Sequence, residues 1–276
     1  MSGLTRSLER TAAPLRSSRV RGFGDALWWL SVTGVITAGR LSLSSVVRRS
    51  RTSPMNSLPL KLQDGHLFLE LGGELWLLDT GAPTSFGTSR SLSIAGEQFS
   101  LGASYLGLTA TTLSQFVGVP CVGLLGADVL GRFDHIFDTA GGRLAVSTAE
   151  LSHSGASVRL DEFMGIPIVT ARVGSSDYRM FFDTGAQISY FQDDSLTEFP
   201  SAGSVTDFYP GVGQFQTDTH EVPVSLGGVT FTLRCGTLPG LLGMTLMMAS
   251  TEGIVGNAIL ANRTVGYFPR RRMMVL

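Results

Sequence analysis

Leu75-Trp76-Leu77-Leu78-Asp79-Thr80-Gly81-Ala82 and Met180-Phe181-Phe182-Asp183-Thr184-Gly185-Ala186 carry the same tetrapeptide after an apolar run. The match extends in both directions along the chain. Upstream lie the turns Gly72-Gly73 and Gly174-Ser175-Ser176-Asp177. Before them come His66-Leu67-Phe68-Leu69-Glu70-Leu71 and Ile168-Val169-Thr170-Ala171-Arg172-Val173, rich in residues that suit a pleated surface. Each copy therefore predicts a β-hairpin that delivers an Asp at its end. Downstream, Gly123-Leu124-Leu125-Gly126-Ala127-Asp128-Val129-Leu130 matches Gly253-Ile254-Val255-Gly256-Asn257-Ala258-Ile259-Leu260 in spacing and character, and Gly, Gly and Leu are identical in the two blocks. A short helical or turn segment and a last strand are expected after each block, over 133–146 and 264–276. An internal repeat of this kind predicts two homologous units. Neither copy carries a long apolar run at helical spacing and Gly and Ser recur throughout, so the fold is expected to be mostly β.

A carboxylate at the end of an apolar strand is costly to bury alone, because desolvation disfavours its charged form. Two such groups meeting between the units can share one proton, since like charges a few ångströms apart do not readily both ionise. The ionised member can then act as general base on a water while the protonated one polarises a carbonyl, which suits hydrolysis of an unactivated amide. The neighbours of each Asp fit that task. Gly81 and Gly185 let the backbone turn closely and present amides to the carboxylates, Thr80 and Thr184 offer hydroxyls for bonds between the loops, and Ala82 and Ala186 leave room for the partner loop.

These motifs, Asp-Thr-Gly after an apolar strand in each half followed by an apolar-apolar-Gly block, make the chain resemble the aspartic proteases of the pepsin and retropepsin group over about residues 58 to 276. The resemblance implies a mostly β, bilobal fold about a pseudo-twofold axis, with homologous lobes at 55–160 and 161–276. It implies an endopeptidase with catalytic Asp79 and Asp183, supported by Thr80, Gly81, Ala82, Thr184, Gly185 and Ala186. It further implies a peptide or protein substrate and the use of neither cofactor nor metal. The Ala after each Gly is closer to the retropepsin pattern, so the chain resembles two such units fused in tandem, and a monomer is expected. The alternative on the same fold is an inactive module that binds a peptide or partner without cutting it.

One departure concerns spacing, because the stretch from Asp183 to Gly253 is longer than that from Asp79 to Gly123. The extra segment, Phe208-Tyr209-Pro210-Gly211-Val212-Gly213-Gln214-Phe215, resembles the Gly-rich flap hairpin of retropepsin-like domains, with Tyr209, Gly211 and Gly213 expected to touch substrate. The first half keeps a short equivalent around Gly102-Ala103-Ser104-Tyr105-Leu106-Gly107.

Composition narrows the remaining classes. The 276 residues are 43% hydrophobic and 16% charged, with 34 Gly and a net charge of −1. Nine of the 21 basic residues (Arg6, Arg10, Arg16, Arg19, Arg21, Arg40, Arg48, Arg49, Arg51) lie before Met55, opposed only by Glu9 and Asp25. The rest of the chain is therefore acidic, which argues against nucleic acid as a partner. Residues 1–54 read as a basic Arg/Ser-rich leader, disordered or targeting, or as untranslated sequence if Met55 is the start. Its apolar stretch Ala26–Gly39 is shorter than the roughly 18 to 20 residues that span a bilayer. A cytoplasmic location is expected, with export or organellar targeting the alternative. Cys121 and Cys235 read as buried free thiols. His66, His135, His153 and His220 lack metal-ligand spacing and read as surface or strand residues. Arg270-Arg271-Arg272 reads as a solvated charge run, Leu241–Met248 as core with a substrate-facing apolar wall the alternative, and Asn262-Arg263-Thr264 as a glycosylation acceptor that matters only in a secreted chain.

Overall fold

Two turns set the frame. Asp64-Gly65 and Met164-Gly165 each place two consecutive residues at positive φ (45° and 77°, 53° and 81°), the backbone that reverses a strand in two residues. The computed structural model describes residues 55–192, 195–210, 212–240 and 243–276, so the leader expectation lies outside the described residues. The first half runs β1 (Asn56–Gln63), β2 (His66–Leu71), β3 (Glu74–Leu78), β4 (Phe86–Gly87), β5 (Ser91–Ile94), β6 (Glu97–Ser100), β7 (Ser104–Tyr105) and β8 (Leu108–Thr109). It continues through helix α1 (Ala110–Val117), β9 (Gly123–Leu125), α2 (Ala127–Leu130), β10 (Asp134–Asp138) and β11 (Arg143–Ser147). The second half runs β12 (Ser157–Arg159), β13 (Asp161–Phe163), β14 (Ile166–Val173), β15 (Ser176–Phe182), β16 (Ser189–Phe191), β17 (Ser201–Tyr209), β18 (Gly213–Leu226) and β19 (Val229–Thr237). Helix α3 (Gly243–Met248), β20 (Gly253–Val255), β21 (Thr264–Phe268) and β22 (Met273–Val275) complete it. The protein is mostly β, as the sequence predicts.

Helix α1 is the element the repeat does not foretell. Thr109 caps it reciprocally with Thr112, Gly118 ends it at φ 70°, and Ala110, Leu113 and Val117 form its buried face. Its two Thr and eight-residue length dilute the helical signal in the sequence.

The repeat is repeated in strand pairing. β3 lies parallel to β9 with Trp76 opposite Gly123, and β15 lies parallel to β20 with Met180 opposite Gly253. β4 and β16 then pair antiparallel with β9 and β20 on the other side. The chain thus leaves each Asp loop and returns beside its own glycine block. A side chain at the block glycines would collide with that return: a Cβ on Gly126 would overlap the Ala82 carbonyl, and one on Gly256 would stand 2.8 Å from that of Ala186. Backbone crossing of this closeness is open to glycine alone.

One sheet has ten strands in the order β12-β22-β21-β10-β11-β1-β2-β3-β9-β4, a second has eight in the order β13-β14-β15-β20-β16-β19-β18-β17, and β5–β6 and β7–β8 form separate two-stranded sheets. Each last segment is a hairpin rather than a single strand, and β21 pairs with β10, so strands from the carboxy-terminal end continue the first half's sheet. This junction corrects the reading of Arg270-Arg271-Arg272. Arg270 and Arg271 reach Asp134, whose side chain is 0% exposed, at 2.9 and 2.5 Å, and they also donate to the carbonyls of Thr148, Ala149 and Leu151. Only Arg272, paired with Glu162 at the surface, fits a solvated run. The apolar core gathers Trp76, Leu78, Phe137, Phe182, Val255 and Tyr267 from both halves. Cys121 and Cys235 are buried free thiols, as expected. Within Leu241–Met248 the core reading holds for Leu246 and fails for Met247 and Met248, which are 70% and 74% exposed on the outer face of α3; Leu241 and Leu242 lie outside the described residues. Among the described residues no helix is long and apolar enough to cross a membrane.

Candidate active site

Asp79 and Asp183 leave the ends of β3 and β15, and each is fixed by its own backbone N–H, which donates to Leu125 and Val255 at 3.0 and 2.9 Å. The two loops then interlock. Thr80 Oγ1 donates to the Phe182 carbonyl at 2.6 Å and accepts from the Thr184 N–H at 3.0 Å. Thr184 Oγ1 donates to the Leu78 carbonyl at 2.8 Å and accepts from the Thr80 N–H at 3.1 Å. Both Thr residues are fully buried. The interlock brings each Asp over the other loop's glycine: a Cβ on Gly185 would sit 2.6 Å from Asp79 Cγ, and one on Gly81 would overlap the Asp183 carboxyl.

The two carboxyls lie close enough for each to act on the other. Ala82 N–H donates to Asp79 Oδ1 at 2.9 Å, and Gly185 N–H to Asp183 Oδ1 at 2.8 Å. Both groups keep partial access to a cleft while protein surrounds them on every other side. Burial pushes the Asp79 carboxyl well above the usual carboxylate range, and the charge of Asp183 pushes it further. Burial also raises Asp183, against the bond from Asp79 and the amides of Gly185 and Ala186. Two coupled acids of this kind hold one proton between them. The structure thus brings together Asp79, Thr80, Gly81, Ala82, Asp183, Thr184, Gly185 and Ala186.

The cleft above the pair encloses a cavity of about 160 Å³. Its walls include Leu77, Leu113 and Leu124 from the first half and Phe163, Phe215 and Ile254 from the second. The β17–β18 hairpin lines it through Asp207, Phe208, Tyr209, Pro210 and Phe215. Tyr209 lines the cavity, and burial with the charges of Asp183 and Asp79 pushes its phenol up to about 12. Gly213 stands at φ +88° beside the hairpin tip and does not line the cavity; Gly211 lies outside the described residues. The hairpin rests on the first half through Phe208, stacked on Phe116 of α1 at 4.7 Å. The short first-half equivalent is the β7–β8 hairpin, and it contributes Tyr105 and Leu106 to the same cavity.

Several contributors escape a reading of motifs. Ser85 and Ser189 both stand six positions after their Asp, and their hydroxyls accept the N–H groups of Gly126 and Gly256 at 2.8 and 3.1 Å. That shared offset is the signal that could have found them. His66 is not a surface residue: it is 2% exposed and faces the second loop, with Nδ1 at 3.2 Å from the Gly185 carbonyl and Nε2 at 2.7 Å from the Gln187 amide. Gln187 can only donate there, so Nδ1 carries the proton, and burial lowers the tendency of the ring to charge. Asn257 Nδ2 ties the Gly65 and Thr184 carbonyls together at 2.9 and 3.2 Å. His135 is also buried, bonded through Nε2 to the Leu130 carbonyl. Tyr190 donates its hydroxyl to Asp207 on β17, and no sequence signal links those two residues.

No known family model matches the chain, and no curated protein matches it.

Proposed function

We propose that the protein is an aspartic endopeptidase, with Asp79 and Asp183 as its catalytic pair in a bilobal fold of the pepsin and retropepsin kind. The observation that carries this reading is the meeting of two carboxyls, each pressed over the other loop's glycine, on reciprocally locked Asp-Thr-Gly loops. The repeated strand pairing around each loop supports two homologous lobes, and the presence of both half-sites in one chain supports activity as a monomer.

In the mechanism, a water enters between the carboxyls with the scissile carbonyl above it. The ionised carboxyl of the pair takes a proton from the water as the water oxygen bonds to the carbonyl carbon, and the protonated one gives its proton to the carbonyl oxygen. The resulting diol carries no net charge. The first carboxyl then passes its new proton to the amide nitrogen as the C–N bond breaks, and a diol hydroxyl returns a proton to the second, which restores the pair. The Thr80–Thr184 lock holds the two carboxyls in position through these transfers, so little reorganisation accompanies reaction. The β17–β18 hairpin, with Tyr209 facing the pair, covers the substrate backbone and limits competing water. The apolar walls accept apolar side chains.

The test is cleavage of a mixed peptide library by the full chain between pH 3 and 8, beside Asp79→Asn and Asp183→Asn proteins of verified fold. Cutting by the wild type alone is the expected result. Equal cutting by either variant refutes the mechanism, and binding without cutting by the wild type replaces it with the binding-module reading.

A further inference from the structure

Beyond the catalytic pair, the cavity is lined by one more carboxylate, Asp207 on β17. Its Oδ2 accepts the Tyr190 hydroxyl and its Oδ1 accepts the Phe208 N–H at 2.7 Å. Both donors are neutral, and among the described residues no Lys or Arg bridges Asp207 or lines the cavity. A carboxylate offers about four acceptor positions, of which these bonds fill two. Its negative charge reaches the catalytic pair, where it opposes ionisation of Asp183. An anionic group in an apolar wall is costly unless a cation answers it, and every other acidic side chain of the cavity belongs to the pair that must bind water and carbonyl.

We propose that the cleft is built for a peptide carrying a basic side chain, Lys or Arg, close to the scissile bond, with its cationic head paired to Asp207 and its methylene stem along the apolar walls. This specificity rests on the endopeptidase reading and sharpens it. The walls and the carboxylate divide the work: Leu124, Phe215 and Ile254 cover the stem, and Asp207 supplies the one position where a charge is compensated. A Glu side chain in that place meets a like charge and is excluded.

Matched peptides test this, with Lys, norleucine or Glu scanned through the positions on either side of the cut bond. Norleucine keeps the stem and lacks the charge. For the full-length wild type, kcat/KM at one position is expected to favour Lys over norleucine by about tenfold or more, the scale of a charge-assisted hydrogen bond in a sheltered site, with Glu last. In Asp207→Asn the ratio of Lys to norleucine is expected to fall to about one, and because each ratio is read within one protein a general loss of activity cancels. Wild-type cutting with no preference for Lys at any position overturns the proposal and leaves the endopeptidase reading standing, as does a preference that survives in Asp207→Asn. If no peptide is cut, the same ratio is read from binding: Lys-selective binding that Asp207→Asn abolishes supports the recognition and refutes the endopeptidase, and absence of binding refutes both.

Discussion

Replacing Thr80 by Val removes one hydroxyl and leaves the shape of the side chain nearly unchanged, so its effect isolates the lock between the two Asp loops. The Thr80 hydroxyl serves two buried backbone groups, donating to the Phe182 carbonyl at 2.6 Å and accepting from the Thr184 N–H at 3.0 Å. Valine orphans both, and it does so at a position with 0% exposure where no water can replace the partner. An orphaned buried polar group costs about 1–3 kcal/mol, which gives about 2–6 kcal/mol for the pair. That is a large part of the roughly 5–15 kcal/mol that holds a typical domain folded. For a folded unit of this size about 3 kcal/mol lowers the midpoint of thermal unfolding by roughly 6–12 °C. Thr80→Ser keeps the hydroxyl and loses one methyl group, at a cost of about 1 kcal/mol. Urea unfolding of the three proteins gives the comparison directly, provided the slope with denaturant is shared. A Thr80→Val protein within about 0.5 kcal/mol of Thr80→Ser would show that the hydroxyl contributes nothing beyond its volume and that the lock does not hold the loops.

Three further outcomes are expected. Burial and the charge of Asp183 raise the Asp79 carboxyl in the folded protein, so wild-type stability is complete below the ordinary carboxylate range and is lost as pH climbs through the raised value. Asp79→Asn abolishes that loss, and the difference in unfolding midpoint between variant and wild type grows from pH 4 to pH 8; a difference that shrinks contradicts the shared proton. Gly81→Ala drives a methyl into the Asp183 carboxyl and is expected to lower kcat/KM by about a hundredfold or more, the scale of a displaced catalytic group; kinetics within threefold of wild type would show that the loops are not pressed together. Asp134→Asn leaves Arg270 and Arg271 without their buried counter-charge and is expected to cost about 3 kcal/mol in urea unfolding, where a surface charge run predicts almost none.

The two carboxylates of the candidate site and the β character of the fold were legible along the chain, because both are written in local repeats. Two Asp-Thr-Gly-Ala segments after apolar strands name the carboxylates, and the turn chemistry at Gly72-Gly73 fixes a hairpin with β2 running over the residues expected of it. The glycine blocks were also legible as a repeat, although the reason for them, a neighbouring backbone too close for any Cβ, belongs to the packing. Which distant groups meet is settled by packing alone. His66 looks like an ordinary strand residue until the β1–β2 turn lands on the second Asp loop, and Arg270 and Arg271 look solvated until β21 joins β10 and carries them to Asp134. Asp207 is one more acid in a polar strand until Tyr190 and the closed hairpin turn it into the third carboxylate of the cavity. Periodicity and turn residues act over a few positions and can be read along the chain. A buried charge finds its partner across more than a hundred positions, through contacts that exist only after the sheets have formed, and no local pattern encodes them.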